Sequence, residues 1–269
     1  MPAEQIIQSP KNPKIKNLEL LIAKSRERKK QGLFVIEGRK ECELAIKSNL
    51  PLDSWYYFPE GLGEEEKALI PLLQQLNLPS YRLEKEAFEK IAYRSGTVGL
   101  ILLAKSYERK LSTLKLPKNP LILVVEGVEK PGNLGALLRT ADAAQLDAVI
   151  CCDQQTDLFN PNVIRSSLGC IFSVPTVQCS SEEAIAWLGE KRIQLLATDL
   201  EGAVSYLEVD YKKPTAILMG TEATGITELW RKAADAKIKI PMLGLIDSLN
   251  VSTSAAIVVF EAKRQREVK

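Results

Sequence analysis

Apolar residues recur along the second half of the chain in short continuous runs. LILVVEGV (121–128), DAVICC (147–152) and TAILMG (215–220) are each followed by a segment with the periodicity of a helix or by a loop. Runs this apolar are typical of parallel strands that are covered on both faces. We therefore predict an α/β fold with a mostly parallel sheet. The other predicted elements of this half are strands at 174–179, 193–199 and 237–242 and helices at 133–145, 160–169, 181–190, 224–234 and after 248.

The first half has the same alternation on a smaller scale. A basic helix is predicted over 14–31, and apolar strands over 33–38, 54–58 and 98–105, with helices between them. This pattern indicates a small α/β domain. The polar stretch that follows contains two prolines and is interpreted as a linker. The predicted divisions are a domain over 1–105, a linker over 106–119 and a second domain over 120–269.

Charge is unevenly distributed, although the formal net charge of the chain is only +2. Residues 1–40 contain ten Lys and Arg residues but only four Asp and Glu residues. A basic N-terminal segment favours an anionic partner, most simply a nucleic acid. The alternative is a basic helix face that only contacts water.

Five cysteines and no histidine limit the chemistry. No pair of cysteines has C-x-x-C spacing, so we expect reduced and mostly buried thiols in a cytoplasmic protein. No secretory signal opens the chain, and no apolar run has the length of a membrane span. Without histidine, a Ser-His-Asp triad, a His-ligated zinc and an imidazole base are excluded, and no metal site is predicted.

The first candidate motif, PGNLGALLRTADA (131–143), follows a strand and opens a helix. Leu134, Leu137 and Leu138 have the spacing of a core-facing side, which leaves Arg139 and Asp142 on the opposite side. These two residues would form an ordinary ion pair or belong to a site. The glycine turn is suited to holding a phosphate on free N–H groups, but it lacks the G-x-G-x-x-G pattern of dinucleotide-binding proteins.

Two further motifs lie at predicted strand ends. GTEATG (220–225) places Glu222 between two glycines, where it is either a functional carboxylate or a first-turn helix acid. IPMLGLIDSLNVSTSAA (240–256) contains Ser248 and Asn250 at the start of a helix, within a cluster of five Ser, Thr and Asn residues. A capped helix needs only one such residue, but a capped helix with a solvated first turn remains the alternative.

These three motifs, in this order, closely resemble those of the SpoU/TrmH branch of the SPOUT RNA methyltransferases. The resemblance spans about 119–269, and NPNVIRSSLGCIFSVP (160–175) is similar to the family's intermediate segment. FVIEGRKECELAI (34–46) more weakly resembles the substrate-binding domain of many members, which is itself similar to a ribosomal protein. Lys130 stands where relatives commonly have Asn or Asp.

The resemblance implies a C-terminal α/β domain with a deep trefoil knot, a homodimer formed through this domain, and S-adenosylmethionine as cofactor. The expected reaction is methylation of a ribose 2′-hydroxyl in structured RNA, with ribosomal RNA favoured over transfer RNA. By the same resemblance, Arg139 would be the main catalytic residue and would contact RNA, and Arg165 would be a second RNA contact. The other implied positions are Asn133, Glu222, Ser248 and Asn250 at the reaction site and Gly220, Ile240 and Leu249 at the cofactor.

Two other readings compete with the methyltransferase. One is an RNA-binding or ribosome-assembly protein that keeps the fold without turnover, which the retention of Arg139, Glu222 and Asn250 disfavours. The other is a nucleotide-dependent oxidoreductase, which the missing glycine fingerprint disfavours. The methyltransferase is therefore the leading hypothesis.

Overall fold

The computed structural model describes residues 5–92, 99–154, 156–221 and 225–267. The chain divides into two compact units. The first comprises Met1–Tyr107 and Asp157–Ser173, and the second comprises Glu108–Thr156 and Val174–Lys269. None of the described helices has both the length and the apolar composition that crossing a membrane would require.

The described residues form twelve strands and twelve α-helices, numbered here in chain order, and two short 3-10 helices at Pro59–Gly61 and Leu111–Thr113. The strands are β1 Gln5–Ile7, β2 Leu33–Glu37, β3 Leu52–Tyr57, β4 Ser80–Leu83, β5 Leu100–Lys105, β6 Leu121–Glu126, β7 Ala148–Cys152, β8 Thr176–Cys179, β9 Gln194–Thr198, β10 Val204–Ser205, β11 Thr215–Met219 and β12 Ala236–Lys239. The helices are α1 Pro13–Ala23, α2 Ser25–Gln31, α3 Arg39–Lys47, α4 Glu64–Lys67, α5 Ile70–Gln75, α6 Lys85–Ile91, α7 Pro131–Ala143, α8 Pro161–Ser166, α9 Cys170–Ser173, α10 Ser181–Glu190, α11 Glu228–Ala233 and α12 Val251–Glu267.

The first unit contains a five-stranded mixed sheet in the order β1-β4-β3-β5-β2. Strand β5 runs antiparallel to both β2 and β3, whereas β4 is parallel to β1 and β3. The three predicted strands of this half are present. The short strands β1 and β4 were not predicted, because three or four residues carry too little periodicity to stand out.

Two predicted helices of the first unit are each divided in two. The basic helix breaks at Lys24, whose backbone is extended, so that α1 and α2 meet at a corner. Between the second and third predicted strands of this half, the sequence also predicts a helix over 64–75. In the structure it is interrupted after Lys67 and restarts as α5, with Pro71 in its first turn. Proline has no N–H for the preceding turn, and it is tolerated at a helix start.

Residues 157–173, which contain α8 and α9, belong to the first unit although they follow the first motif (131–143) in sequence. The Phe34 and Phe159 rings stack with centroids 4.1 Å apart. Arg28 Nε donates to Asp157 Oδ2 at 2.7 Å, and both side chains are nearly buried. The predicted division assigned all of 120–269 to one domain. In the structure, residues 157–173 group with the first compact unit, because contacts distant in sequence decide where a segment packs.

The second unit is built on a seven-stranded sheet in the order β10-β12-β9-β11-β6-β7-β8. Every pairing is parallel. Strands β6, β7 and β11 are buried along their whole length, as expected for a parallel sheet covered on both faces. The predicted α/β class and mostly parallel sheet are confirmed.

Most of the stretch interpreted as a linker packs on the second unit. Leu111, Leu114 and Leu116 contact its hydrophobic core. Arg109 Nη1 donates to the carbonyl of Val174 at 2.9 Å, and Asn119 Nδ2 donates to the carbonyl of Lys212 at 2.7 Å. The first and second compact units meet in sequence between Tyr107 and Glu108. The predicted domain bounds, with a linker over 106–119, stay a prediction. The three leucines alternate with polar residues, and this spacing was the available signal.

Candidate active site

A cavity of about 840 Å³ opens at the carboxyl ends of β9, β11 and β12 in the second unit. In open parallel sheets, this is the edge where ligands bind, near the point where the strand order reverses. Here the strands that follow β6 in the chain lie on both sides of it in the sheet: β7 and β8 on one side, and β11, β9, β12 and β10 on the other. The sheet topology thus explains the place of the cavity. Lys130, which directly precedes the first motif, lines the cavity. The residues of the second and third motifs that line it are Gly220, Thr221, Gly225, Ile240, Met242, Asp247, Ser248, Leu249, Asn250, Val251 and Ser254.

Gly220 directly follows β11 and lies in a space that admits no side chain. A Cβ at this position would overlap the Gly225 carbonyl group and lie 2.6 Å from the Ile226 nitrogen. The close approach comes from the turn that follows, in which Thr221 and Gly225 exchange backbone hydrogen bonds of 2.9 and 3.1 Å. Gly220 therefore presents bare backbone to the cavity.

The first and third motifs meet at two asparagines. Asn250 Nδ2 donates to Asn133 Oδ1 at 3.2 Å, which joins the start of α7 to the start of α12. Asn250 Oδ1 in turn accepts from the backbone N–H of Ser252 at 3.0 Å and from its hydroxyl at 2.6 Å. Asn250 thus caps α12 and fixes Asn133 at the same time. The capped-helix alternative for this motif is therefore observed, and the role of Asn250 at a reaction site stays a prediction.

The loop between β12 and α12 supplies the remaining predicted positions of the third motif. Ile240, Ser248 and Leu249 all line the cavity. Ile240 and Leu249 are half-buried, and the exposed Ser248 donates its hydroxyl to Asp247 Oδ1 at 3.2 Å. Apolar side chains can wall an aromatic ring while their backbone groups hydrogen-bond to its edge.

The predicted cationic residues lie away from the cavity wall. Arg139 is exposed on α7, and it makes no hydrogen bond or ion pair with the described part of the chain. Its neighbours Leu134, Leu137, Leu138 and Ala141 are fully buried, so the helix face was predicted correctly. Arg165 is exposed on α8 of the first unit. Glu222 lies outside the described residues.

An ion pair on the cavity wall was missed at the sequence level. Arg231 Nε donates to Asp199 Oδ2 at 2.8 Å, and both residues line the cavity. Burial raises the pKa of Asp199, but the Arg231 bond and the N–H groups of Leu200 and Glu201 outweigh it, so the pKa is below its usual value. Asp199 is the residue directly after β9. The rule that site residues follow parallel strands could have identified it.

Glu126 is a second residue that sequence reasoning did not assign to a role. It ends β6, is 5% exposed, and accepts a hydrogen bond at Oε2 from the backbone N–H of Thr227 at 2.9 Å. Thr227 immediately precedes α11, where a carboxylate is favoured by the helix dipole. Glu126 therefore connects β6, the strand before the first motif, to α11, the helix after the second motif. Within the described ranges, no group of three or more Cys, Asp or Glu side chains is arranged to hold a metal ion.

A model of the SpoU rRNA Methylase family matches residues 120–260, which is more than half of the chain. The chain belongs to the SpoU rRNA methylase family. A model of the MRM3-like substrate binding domain matches residues 12–102. The predicted family and the predicted N-terminal substrate-binding domain are both confirmed.

Curated relatives of this SpoU-family chain align along nearly its whole length. The 23S rRNA (guanosine(2553)-2'-O)-methyltransferase RlmP of Bacillus subtilis is 30% identical, over 96% of this chain and 98% of the relative. The 23S rRNA (uridine(2479)-2'-O)-methyltransferase of Streptomyces viridochromogenes is 26% identical, over 98% of this chain and 94% of the relative.

Solved structures of the SpoU family share this architecture. A crystal structure described as an RNA 2'-O ribose methyltransferase has a TM-score of 0.85 and 38% identity, with 97% of this chain and 99% of that chain covered. The AdoMet-bound rRNA methyltransferase of Sinorhizobium meliloti has a TM-score of 0.89 and 27% identity, with 97% and 98% covered.

Proposed function

We propose that the protein is an S-adenosylmethionine-dependent methyltransferase that methylates a ribose 2′-hydroxyl of ribosomal RNA. The observation that carries the proposal is a cavity with Gly220, Ile240 and Leu249 on its wall. Asn250 lines the same cavity and is hydrogen-bonded to Asn133 of the first motif. Family membership and relatives that act on 23S rRNA support the substrate class.

The cavity is suited to S-adenosylmethionine. Its volume of about 840 Å³ lies in the range of about 300–1,000 Å³ that is usual for small-molecule sites. The bare backbone of Gly220 allows a flat base to approach closely, and Ile240 and Leu249 supply apolar contacts on the same wall. The bound cofactor supplies an activated methyl group.

The residues of the chain orient the acceptor and stabilise charge. Asn133 and Asn250 hold each other in place and present amide groups that position the target ribose. Arg139 binds the adjoining phosphate and stabilises the negative charge that develops on the ribose oxygen in the reaction. In that step the 2′-hydroxyl takes the methyl group and gives its proton to solvent water, and S-adenosylhomocysteine is the leaving group. A role for Arg139 as the base is disfavoured, because a guanidinium group stays protonated. Glu222 braces the site, and Arg165 contacts the RNA.

The alternative is a non-catalytic RNA-binding protein with the same fold. The two functions are separated by transfer of a labelled methyl group to ribosomal and transfer RNA fractions from a strain that lacks the gene. We expect label in ribosomal RNA, in nuclease-resistant dinucleotides, with the wild-type protein and none with Arg139→Ala. Absence of both label and cofactor binding would favour the RNA-binding alternative.

We further propose a homodimer formed through the second unit. Leu243, Leu245 and Ile246, in the loop before α12, are 98%, 108% and 62% exposed. Phe260 on α12 is also exposed. Large exposed apolar side chains in one loop are typical of a protein interface. Sedimentation analysis is expected to give a dimer for the wild type and a monomer for Leu245→Glu, whereas a wild-type monomer would exclude this assembly.

The trefoil knot and the cytoplasmic location are also part of the proposal. Insertion of β12 between β9 and β10, and packing of α12 against α7, support the knot. A crystallographic trace of residues 194–267 would test it. Five free cysteines, four of them buried, support a reducing compartment, which fractionation of cells would test.

A further inference from the structure

Four cations lie together at the corner between α1 and α2, and we call this surface the basic corner. It consists of Lys24, Arg26, Lys29 and Lys30. All four side chains are exposed, and none has a hydrogen bond or ion pair with the described residues. Their charges are therefore available to a partner.

The corner is held by a fifth cation that does not reach the surface. Arg28 is 4% exposed, and its Nη1 donates to the carbonyls of Leu21 at 2.6 Å and Ile22 at 3.1 Å. These carbonyls end α1 and would otherwise lack helical partners. Arg28 Nε donates to Asp157, which also accepts from Ser25 Oγ at 3.1 Å. One buried guanidinium thus fixes both helices and the inserted segment.

Two side-chain amides form a second connection between α1 and α2. Asn17 on α1 and Gln31 on α2 exchange reciprocal side-chain hydrogen bonds of 3.1 and 3.0 Å. A surface held in this way loses little further freedom when it binds, which favours affinity. The basic corner is therefore a rigid group of charges rather than a set of mobile lysines.

The spacing of the charges directs them to one side. Arg26, Lys29 and Lys30 occupy positions i, i+3 and i+4 of α2, which share a helix face. At about 1.5 Å of rise per residue, their Cα atoms span roughly 6 Å along the helix. Glu27 is the acidic residue of α2, and it is half-buried with Gln31 beside it. The corner therefore has a concentrated positive charge.

We propose that the basic corner binds the phosphate backbone of the RNA substrate. A nucleic acid strand presents several phosphates within the length of this surface, and neutralising them releases counterions. Such contacts fix the position of an RNA without reading its sequence, as expected for recognition of a folded RNA by shape. The inference rests on the proposed function, since it assumes that RNA is the substrate.

The test compares two triple variants of the full-length protein. The corner variant carries Arg26→Gln, Lys29→Gln and Lys30→Gln. The control carries Lys47→Gln, Lys67→Gln and Lys85→Gln, which remove the same charge from the same unit at lysines that lie within 4.0 Å of a glutamate. Binding to ribosomal RNA is measured from 50 to 300 mM salt, together with S-adenosylmethionine affinity and thermal unfolding.

We expect the corner variant to bind RNA roughly ten- to hundredfold more weakly at low salt, with a salt dependence shallower by about two units. Its cofactor affinity and unfolding temperature stay at the wild-type values, and the control variant binds RNA as the wild type does. Equal losses in both variants, or an unchanged salt slope in the corner variant, would overturn the proposal. Failure of the wild type to bind cofactor would instead count against the proposed function.

Discussion

The candidate binding sites of the two units are formed by different kinds of secondary structure. In the second unit, the candidate site lies at the ends of parallel strands and is formed largely by backbone and short side chains such as Gly220, Asn133 and Asn250. In the first unit, the candidate RNA surface lies on helices and is formed by long side chains at the α1–α2 corner. A small organic cofactor needs an enclosed wall, whereas an RNA backbone needs accessible charge. We therefore expect substitutions on the cavity wall to affect cofactor affinity and substitutions at the basic corner to affect RNA affinity.

The largest effect on ligand binding is expected at Gly220. In Gly220→Ala the new Cβ overlaps the Gly225 backbone, so the turn over the cavity must move. We expect S-adenosylmethionine affinity, measured by calorimetry, to fall roughly a hundredfold or more because binding needs the bare backbone. Gly189→Ala is the control, because a Cβ there meets no atom within 4 Å. Unchanged affinity in Gly220→Ala would show that the cofactor does not use this wall.

A large loss of stability, confined to the first unit, is expected for Arg28→Met. The change leaves Asp157 nearly buried without its charged partner and frees the carbonyls of Leu21 and Ile22. Breaking a buried ion pair in this way lowers the free energy of unfolding by about 3–5 kcal/mol. Amide hydrogen exchange over α1, α2 and β2 measures this loss of stability. Lys47→Met removes an exposed pair with Glu43 and should cost about 1 kcal/mol or less.

Arg139→Ala is expected to slow methyl transfer about 10²- to 10³-fold, the usual cost of losing a group that stabilises an oxyanion. Cofactor affinity should not change, because Arg139 is absent from the described wall of the cavity. Single-turnover transfer with labelled cofactor measures the rate. If the pH–rate profile of the wild type shows an essential deprotonated group that Arg139→Lys removes, Arg139 is the base and not a stabilising charge.

The smallest effect is expected from the pH dependence of the Asp199–Arg231 pair. Burial raises the pKa of Asp199, but hydrogen bonds lower it by more, so the folded-state pKa is below the ordinary 3.8. A carboxylate with a depressed pKa contributes stability above its unfolded pKa, and this contribution is lost as pH falls through the folded value. Urea unfolding at neutral pH should give Asp199→Asn a free energy of unfolding about 1 kcal/mol lower than that of the wild type. This difference in the free energy of unfolding should shrink only below pH 3.8. A difference that does not depend on pH would contradict the charge-based explanation.

Local patterns were sufficient for much of the second unit. The apolar runs predicted β6, β7 and β11, and helix α10 was predicted with the observed ends, where Ser180 and Glu183 form a capping box. The buried side of α7 also followed from spacing alone. Each of these features depends on residues within a few positions of one another.

Features that depend on distant residues were missed. The break at Lys24 is stabilised by Arg28 and Asp157, which lie far apart in sequence. The antiparallel pairings of β5 and the Asp199–Arg231 pair likewise join separate parts of the chain. Gly220, Ile240 and Leu249 were assigned to the cofactor only through family resemblance, since a backbone contact leaves no pattern in side chains.

The insertion of residues 157–173 into the first unit has a consequence for synthesis on the ribosome. When Tyr107 has been made, Phe34 and Arg28 still lack Phe159 and Asp157. The whole stretch from Glu108 to Thr156 must be translated before these partners emerge, at about 5–20 residues per second. The first unit therefore cannot finish folding before much of the second has been synthesised, and the N-terminal part remains exposed to chaperones during that delay.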